Sequence, residues 1–151
     1  MELKATRQVD TTQESAFAAL TNFDRWQSLL KGRVASMKRT GDPAVPLTLT
    51  WKAKVSIRNA QRDVICRVSE CRPHHSLILA SDIGGLHSEF SVQLSGSAPT
   101  TLDLKLNMSA GTLKARAILA SLKLARSTSQ SRFDELADRL VQEIERQITQ
   151  A

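Results

Sequence analysis

Few of the residues that build metal centres or disulfide frameworks occur in this sequence of 151 residues. It contains two cysteines, Cys66 and Cys71, and three histidines. Two cysteines so close together are too few for a disulfide framework, so a reducing cytoplasm is the expected location. The shortage of histidine and cysteine also leaves little material for a protein metal site, and we expect none.

Long apolar runs are missing as well. No segment approaches the roughly 18 apolar residues that a membrane-spanning helix needs. The N-terminus carries Glu2 and no extended apolar stretch, so a secretory signal is not expected. Hydrophobic residues make up 41% and charged residues 24% of the chain, which is the balance of an ordinary globular protein. The length predicts one domain over residues 1–151.

Aromatic residues are scarce: the chain has two tryptophans, four phenylalanines and no tyrosine. Its net charge of +6 raises the question of a nucleic-acid partner. Proteins that bind single strands stack the bases on aromatic rings, and the basic residues here are not interleaved with aromatic ones. Helix-turn-helix and zinc-finger spacings are absent too. We therefore expect no nucleic-acid partner.

Alternation of apolar and polar residues dominates the middle of the chain. The clearest run places six apolar residues on one face: Leu47, Leu49, Trp51, Ala53, Val55 and Ile57. The opposite face carries Thr48, Thr50, Lys52, Lys54, Ser56 and Arg58, as expected for a strand with one dry and one solvated side. About seven strands are predicted in all. Six are consecutive and joined by short turns, which favours antiparallel neighbours.

Helical spacing occurs at both ends of this strand region. Thr11 and Thr12 offer an N-cap for a short helix, and Asp24 offers one for a second short helix. A long helical pattern follows Gly111, with a stripe at Phe133, Leu136, Ala137, Leu140, Val141, Ile144 and Ile148. A broader apolar arc precedes it, from Leu113 to Ala125. The serine- and threonine-rich residues 127–131 predict a bend or break between the two.

A sheet of this size with one apolar face has to be covered, and the terminal helix is the available cover. The sequence therefore predicts an α+β fold in which a curved antiparallel sheet wraps around a long C-terminal helix. Many of the residues facing the helix are small, and bulky aromatics to fill the space are scarce. Such a gap tends to leave an apolar cleft, and apolar clefts bind apolar ligands. The alternative is that leucine and isoleucine close the gap as an ordinary core.

Several short segments resemble the SRPBCC superfamily, the START-related helix-grip proteins, and especially its polyketide cyclase/dehydrase and lipid-transport branch. The resemblance is carried by VDTTQESAFAAL (residues 9–20), FDRW (23–26), LTW (49–51), FSVQL (90–94) and TTL (100–102). It covers nearly the whole chain and implies a hydrophobic ligand held between sheet and helix. Asn59 stands in a turn where the family would place a glycine.

Candidate catalytic residues are few, and we assign none. His87 and Glu89 are predicted to face outward, away from any cleft. Cys66 is predicted to face inward without a base, and Cys71 to face the other way at the end of the strand. Ser88 is the one polar residue on its apolar strand face. It orients a polar group of a ligand or satisfies a local backbone group.

The first hypothesis for function is binding or transport of a small hydrophobic molecule, such as a lipid, polyketide or isoprenoid, without a metal or organic cofactor. The predicted pocket lining is Trp51, Ala53, Val64, Ser88, Phe90, Val92, Leu106, Met108, Leu122, Phe133 and Leu136. The second hypothesis is a cyclase or dehydratase acting on an aromatic or polyketide-like substrate. It requires a polar pair inside the cleft, and strand parity supplies only Ser88.

A third hypothesis is an interaction module with a basic surface. Residues 110–132 contain five basic residues and no acid. Among them Arg116, Lys123 and Arg126 fall within about 80° of one another on the predicted helix, opposite its apolar arc. Such a surface suits peripheral contact with an anionic membrane, an acidic partner, or the charged headgroup of a ligand at the mouth of the cleft. Ligand identity and oligomeric state stay open.

Overall fold

A computed structural model of the chain describes residues 1–32, 34–57 and 59–150. The side chain of Ile57 and the whole of Arg58, which the alternating pattern assigns to opposite faces, lie outside the described residues. For the other residues, the structure shows where the backbone runs and on which face each side chain lies.

The sheet has seven strands, and every neighbouring pair is antiparallel. Their bounds are β1 Glu2–Val9, β2 Ser36–Thr40, β3 Thr50–Ile57, β4 Ala60–Arg72, β5 Ser76–Ile83, β6 Leu86–Gly96 and β7 Thr100–Ala110. The order across the sheet is β1-β7-β6-β5-β4-β3-β2. The consecutive strands thus pair through short turns, and β1 returns to the edge beside β7.

The helices follow at the predicted places: α1 Gln13–Leu20, α2 Phe23–Leu30, α3 Leu113–Leu124 and α4 Arg126–Gln150. Side chains cap three of them at the N-terminus. The oxygens of Thr12, Asn22 and Thr112 accept hydrogen bonds from backbone amides of α1, α2 and α3, respectively. The prediction of Asp24 as the cap of the second helix is wrong, because α2 begins at Phe23 and Asp24 lies in its first turn. The predicted fold class, a curved antiparallel sheet with a long C-terminal helix and two short helices after the first strand, is confirmed.

The break in the terminal helix lies at Ala125, earlier than the predicted bend at 127–131. The serine- and threonine-rich segment is itself helical. The amide of Ser129 donates to the carbonyl of Ala125 at 2.9 Å, and its hydroxyl donates to the carbonyl of Leu122 at 3.3 Å. Serine side chains that bond to helix carbonyls are compatible with a helical backbone, so composition alone misplaced the break.

Two local features change which face a residue lies on. Leu47, predicted to face inward on a strand, lies in a short 3-10 helix, Pro46–Thr48, and is 60% exposed. Proline at the first position of that helix favours it over a strand. The register between β4 and β5 shifts between Val68 and Glu70. This bulge turns Cys71 to the inner face opposite Leu77, against the prediction from parity.

The main core lies between α4, α1 and the β1–β7–β6 side of the sheet. Phe133, Ala137 and Ile144 of α4 pack there against buried residues of the three strands, which include Leu3, Val92, Leu102 and Leu104. Arg7 on β1 anchors the helix from the side, since its guanidinium lies 2.8 Å from Asp138 and 3.5 Å from Asp134. The position of α4 over one edge of the sheet determines what remains open elsewhere.

Candidate functional site: an open groove on the inner face of the sheet

The inner face of the sheet is only half covered. On the β1–β7–β6 side the inward side chains are buried under α4. On the side of β3, β4 and β5 the inward side chains between Trp51 and the β5–β6 turn are only half-buried. Beyond Trp51, Val68 and Leu77 are buried beside Phe23. The half-buried set, which also includes one residue of β6, is Ala53, Val55, Val64, Cys66, Ser81, Ile83 and Ser88. Together they form the floor of an open groove, which we call the inner groove.

Helix α2 closes one end of this groove by bridging α4 and the sheet. The side chain of Asn22 donates to Gln147 at 3.2 Å, and Arg25 donates to Glu143 at 2.7 Å. Since residue numbers rise along α2 as they fall along α4, the two helices run antiparallel. On its other side α2 contacts the sheet through Asp24, which accepts from Arg39 at 2.6 Å.

Exposed leucines lie beside this bridge. Leu29 is one helical turn beyond Arg25, and it is 40% exposed. Leu136 is two turns before Glu143 on the same flank of α4, and it is 49% exposed. The antiparallel arrangement carries both leucines away from the bridge in the same direction. They therefore give the opening between α2 and α4 an apolar rim.

A polar row crosses the apolar floor of the groove. The strand register places Trp51, Cys66, Ser81, Ser88 and Met108 side by side across five strands. Burial raises the pKa of the Cys66 thiol, and a hydrogen bond with Ser81 lowers it in part. The thiol is thus protonated at neutral pH and acts as a weak polar contact rather than a nucleophile. Ser81 was missed from the sequence because β5 lacks a clean alternation.

The predicted lining residues fall into two groups. Trp51, Ala53, Val64, Ser88, Phe90, Leu106, Met108 and Leu122 are half-buried, and Leu136 is exposed at the rim. Val92 and Phe133 are placed in the packed core instead, with 0% and 3% exposure. They lie under α4, where the gap between helix and sheet is filled. The ring of Phe90 meets that core edge-on, with its centroid 6.2 Å from that of Phe133.

Trp51 lies where the groove meets α2. Its ring packs against Phe23, with centroids 5.5 Å apart, and its indole nitrogen donates to Gln27 at 3.3 Å. Beyond Phe23 lies a separate apolar recess of about 410 Å³, lined mainly by α1, α2 and the loop before β3. The buried side chains of Leu49, Val68 and Leu77 lie beside Phe23 and Trp51.

The outer face of the sheet carries a different cluster. Nδ1 of His87 lies 2.7 Å from Asp82, and both side chains are about half exposed. They line a shallow depression of about 580 Å³ that is bordered mainly by outward residues and also by three residues of the polar row: Ile65, Arg67, Ala80, Glu89, Asn107 and Ser109, with Ser81, Ser88 and Met108. The outward orientation of His87 follows its strand parity, whereas its pairing with Asp82 depends on the register between β5 and β6. No group of three potential metal ligands occurs in the described part of the chain.

The surface left between the sheet and α4 is formed by the half-buried inward side chains of β3–β6. An open groove binds through one-sided apolar contact and a few polar groups, and its occupant completes the cover of the sheet.

The residues of the predicted basic surface lie on two helices. Arg116 and Lys123 are exposed on α3, and Arg126 is the first residue of α4, where it donates to the backbone carbonyl of Glu2 at 3.1 Å. The apolar arc of α3 is only partly buried. Ala115 and Leu119 are buried against Leu86, whereas Leu113 and Leu124 are 81% and 91% exposed. None of the described helices is long and apolar enough to cross a bilayer.

Comparison with sequence families and with curated proteins gives no match. Solved structures do match. Norcoclaurine synthase from Thalictrum flavum has a TM-score of 0.69 at 7% identity, over 100% of this chain and 87% of that one. An aromatase/cyclase from a Streptomyces species has a TM-score of 0.67 at 10% identity, over 98% and 95%. A START superfamily protein from Mycobacterium smegmatis has a TM-score of 0.52 at 12% identity, over 89% and 98%.

At these identities the comparisons establish the fold. The chain has the START-related helix-grip fold of the SRPBCC proteins, as the resemblance in its sequence implied. The named neighbours include enzymes and a protein named only for its superfamily, so the fold is compatible with catalysis and with binding alone.

Proposed function

We propose that the protein binds a small hydrophobic molecule in the inner groove. The apolar part of the molecule lies against β3–β6, and Leu29 and Leu136 form the rim of the groove. The observation that carries this proposal is the half-buried apolar floor that α4 leaves uncovered. Burying such surface under a ligand is favourable by about 25 cal/mol per Å² before ordering costs. The neighbours' fold supports a ligand of this general kind.

Binding without catalysis agrees with the chemistry of the groove. The described inward positions of β3–β6 carry serine, cysteine and one arginine as their polar side chains, and no histidine or carboxylate. Acid–base catalysis needs a proton donor or acceptor within hydrogen-bond reach of the substrate. The cyclase or dehydratase hypothesis thus gains no residue from this surface. The reduced cysteines agree with a cytoplasmic location.

A test uses two adjacent residues that face opposite sides of β4. Val64→Phe fills the inner groove, whereas Ile65→Phe adds the same ring to the outer face. Titration with dodecan-1-ol, followed by tryptophan fluorescence and calorimetry, should give at least roughly tenfold weaker binding for the first variant, because the ring occupies ligand volume. The second variant should bind like the wild type. Equal effects of the two variants would remove the inner groove as the site.

The exposed apolar stripe on α3 supports a second function, docking on an anionic membrane. At 100° per residue, Leu113, Ala117, Ala120 and Leu124 fall within about 60° of one another, and all four are exposed. Arg116 and Lys123 lie along one side of this stripe and Lys114 along the other. An apolar stripe between two cationic borders matches a bilayer with anionic headgroups better than an acidic protein surface, which would leave the leucines uncovered.

Sedimentation with vesicles tests this second function. The wild type should bind vesicles with 30% anionic lipid (roughly the charge that gives a few tens of millivolts at the surface) and bind neutral vesicles much less. The double variant Leu113→Ser/Leu124→Ser should weaken binding at least roughly tenfold, since each leucine contributes about 1.5 kcal/mol or more when buried. Leu47→Ser, at another exposed leucine, is the control. If the protein dimerised through α3 in solution and did not bind vesicles, the partner of the apolar stripe would be a second copy of the chain and not a membrane.

A further inference from the structure

Arg62 also lies in the inner groove, although the sequence pattern did not predict it as a lining residue. It lies on β4 with the same orientation as Val64 and Cys66, and it pairs with Val55 on β3. The side chain is half-buried, and its Nε is fully buried without a hydrogen-bond partner among the described residues. A charged group on this face interrupts an otherwise apolar and neutral floor.

Among the described residues, the other arginines on the inner side of the fold have carboxylate partners. Arg7 pairs with Asp134 and Asp138, Arg39 with Asp24, and Arg25 with Glu143. Within the described part of the chain, Arg62 makes no ion pair. The nearest carboxylates in sequence and register, Asp63 and Asp82, are on outward positions, and Asp82 is held by His87. Arg62 therefore differs from its neighbours in having its charge uncompensated.

The end of the groove at which Arg62 lies is defined by the β5–β6 turn. A methyl group on Gly84 of that turn would lie 3.7 Å from Nη1 of Arg62. Helix α3 begins beside the same turn, where the hydroxyl of Thr112 is 3.5 Å from the carbonyl of Gly84. From Arg62 the strand runs about 13 Å to Cys66, the level of Trp51 and Ser81. A molecule lying along this path would have one end at a cation and the rest on apolar side chains.

A partly buried guanidinium without an acceptor is unfavourable, and an anionic oxygen is the group that best satisfies it. Arginine binds carboxylate and phosphate through two parallel N–H donors, and such charge-assisted bonds are roughly twice as strong as neutral ones. A neutral ligand would leave the guanidinium desolvated and unpaired, which costs affinity.

We propose that Arg62 binds the anionic end of an amphipathic acid whose apolar tail lies along the inner groove towards Trp51. This inference rests on the proposed function, because it names the class of ligand that the groove binds. The recognised chemistry is an anionic oxygen group, either a carboxylate or a phosphate monoester, on an apolar tail.

Three ligands with the same tail test it: dodecanoic acid, dodecyl phosphate and dodecan-1-ol, each titrated calorimetrically into the purified protein. At least one acid should bind the wild type roughly tenfold to a hundredfold more tightly than the alcohol. Arg62→Gln should remove that preference, so that the acids and the alcohol bind with similar affinities, because the acids lose their cation and the alcohol no longer covers an unpaired charge. Arg62→Lys should keep part of it, because the charge remains but the paired donors are lost.

Arg67→Gln is the matched control, since Arg67 lies on the same strand with its side chain on the outer, exposed face. It should leave all three affinities unchanged. Equal binding of acids and alcohol to the wild type, or a loss of acid preference in Arg67→Gln as well, would overturn the role of Arg62. Failure of all three ligands to bind the wild type would instead contradict the proposed function itself.

Discussion

The two halves of the inner sheet face differ in what covers them. Seven strands at a spacing of about 4.8 Å span roughly 29 Å, whereas a helix with its side chains is about 10–12 Å wide. One long helix thus covers only two or three strands. In this protein α4 covers the β1–β7–β6 side, where Leu102 and Val92 are fully buried, and it leaves the β3–β5 side open.

This difference shows how stability and binding are divided within one sheet. The covered half has the packing of a protein interior, so its residues contribute to stability. The open half has the same alternation in sequence but lacks the partner surface, and its residues are available to a ligand. The most direct check of this division is a pair of matched variants, one in each half. The variant in the covered half should affect stability, and the variant in the open half should affect mainly binding.

The largest effect is expected from matched truncations in the two halves. Ile144→Ala, in the covered half, should lower the free energy of unfolding by about 2–5 kcal/mol, because it leaves a cavity under α4. Ile83→Ala, on the half-buried side, should lower it by only about 1 kcal/mol, since less apolar surface is lost. Urea unfolding with a common m-value measures both. Equal losses would mean that the β5 side is packed like the core.

An intermediate effect is expected at the bridge between α2 and α4. Glu143 is buried, and it accepts from Arg25 at 2.7 Å and from Arg146 at 3.2 Å. Glu143→Ala should cost about 2 kcal/mol, less than the 3–5 kcal/mol of a fully buried pair, because Arg25 is partly exposed. Hydrogen exchange should show faster opening of α2, with β1 and β7 unchanged.

Glu145→Ala is the control for this bridge, because Glu145 is exposed on the same helix. It should change stability by less than about 0.5 kcal/mol. If α2 kept its protection in Glu143→Ala, then the contacts of Phe23 and Gln27 with Trp51 of the sheet would be sufficient to hold α2. The opening of the groove would then not depend on the ion pair.

The sequence predicted the sheet and the helices because alternation and helical spacing are local signals. It predicted the inward set of β3 and β6 well, since Trp51, Ala53, Phe90 and Ser88 follow a simple period of two. It could not predict the bulge near Ser69 that turns Cys71 inward, because a bulge depends on pairing with the next strand. Leu47 was misplaced for a different reason, which is local: Pro46 begins a 3-10 helix there instead of a strand.

The site was harder to predict than the fold. Arg62 shares the inner face of β4 with Val64, but it was not among the predicted lining residues, because the role of a charged residue on an apolar face depends on its partners. The apolar arc of α3 posed the opposite difficulty. Its residues all follow helical spacing, and only packing against Leu86 shows that Leu119 is buried while Leu124 is exposed. Which surface a helix covers is decided by tertiary contacts rather than by its own periodicity.

The smallest effect is expected at the Cys66 thiol, which reports on the open half of the sheet. Burial raises its pKa, and the hydrogen bond with Ser81 lowers it in part. A thiol whose pKa is raised by folding stabilises the protein below the ordinary thiol pKa of about 8.5. That contribution is lost as the pH rises through the raised value, because the unfolded chain then releases the proton more readily. Cys66→Ala should flatten this alkaline loss of stability.

The reactivity of the same thiol gives a second test of the difference between the covered and the open half of the sheet. Ser81→Ala removes the bond that lowers the pKa of Cys66, so the thiolate fraction and the rate of alkylation by iodoacetamide at pH 8 should fall. Alkylation of Cys71, whose pKa burial raises without that bond, should keep its rate and is the internal control. An unchanged Cys66 rate would mean that access, not ionisation, limits the reaction. The β4–β5 floor would then be closed to a small reagent. The half of the sheet described as open would in that case be covered at Cys66 and Ser81, its most polar residues.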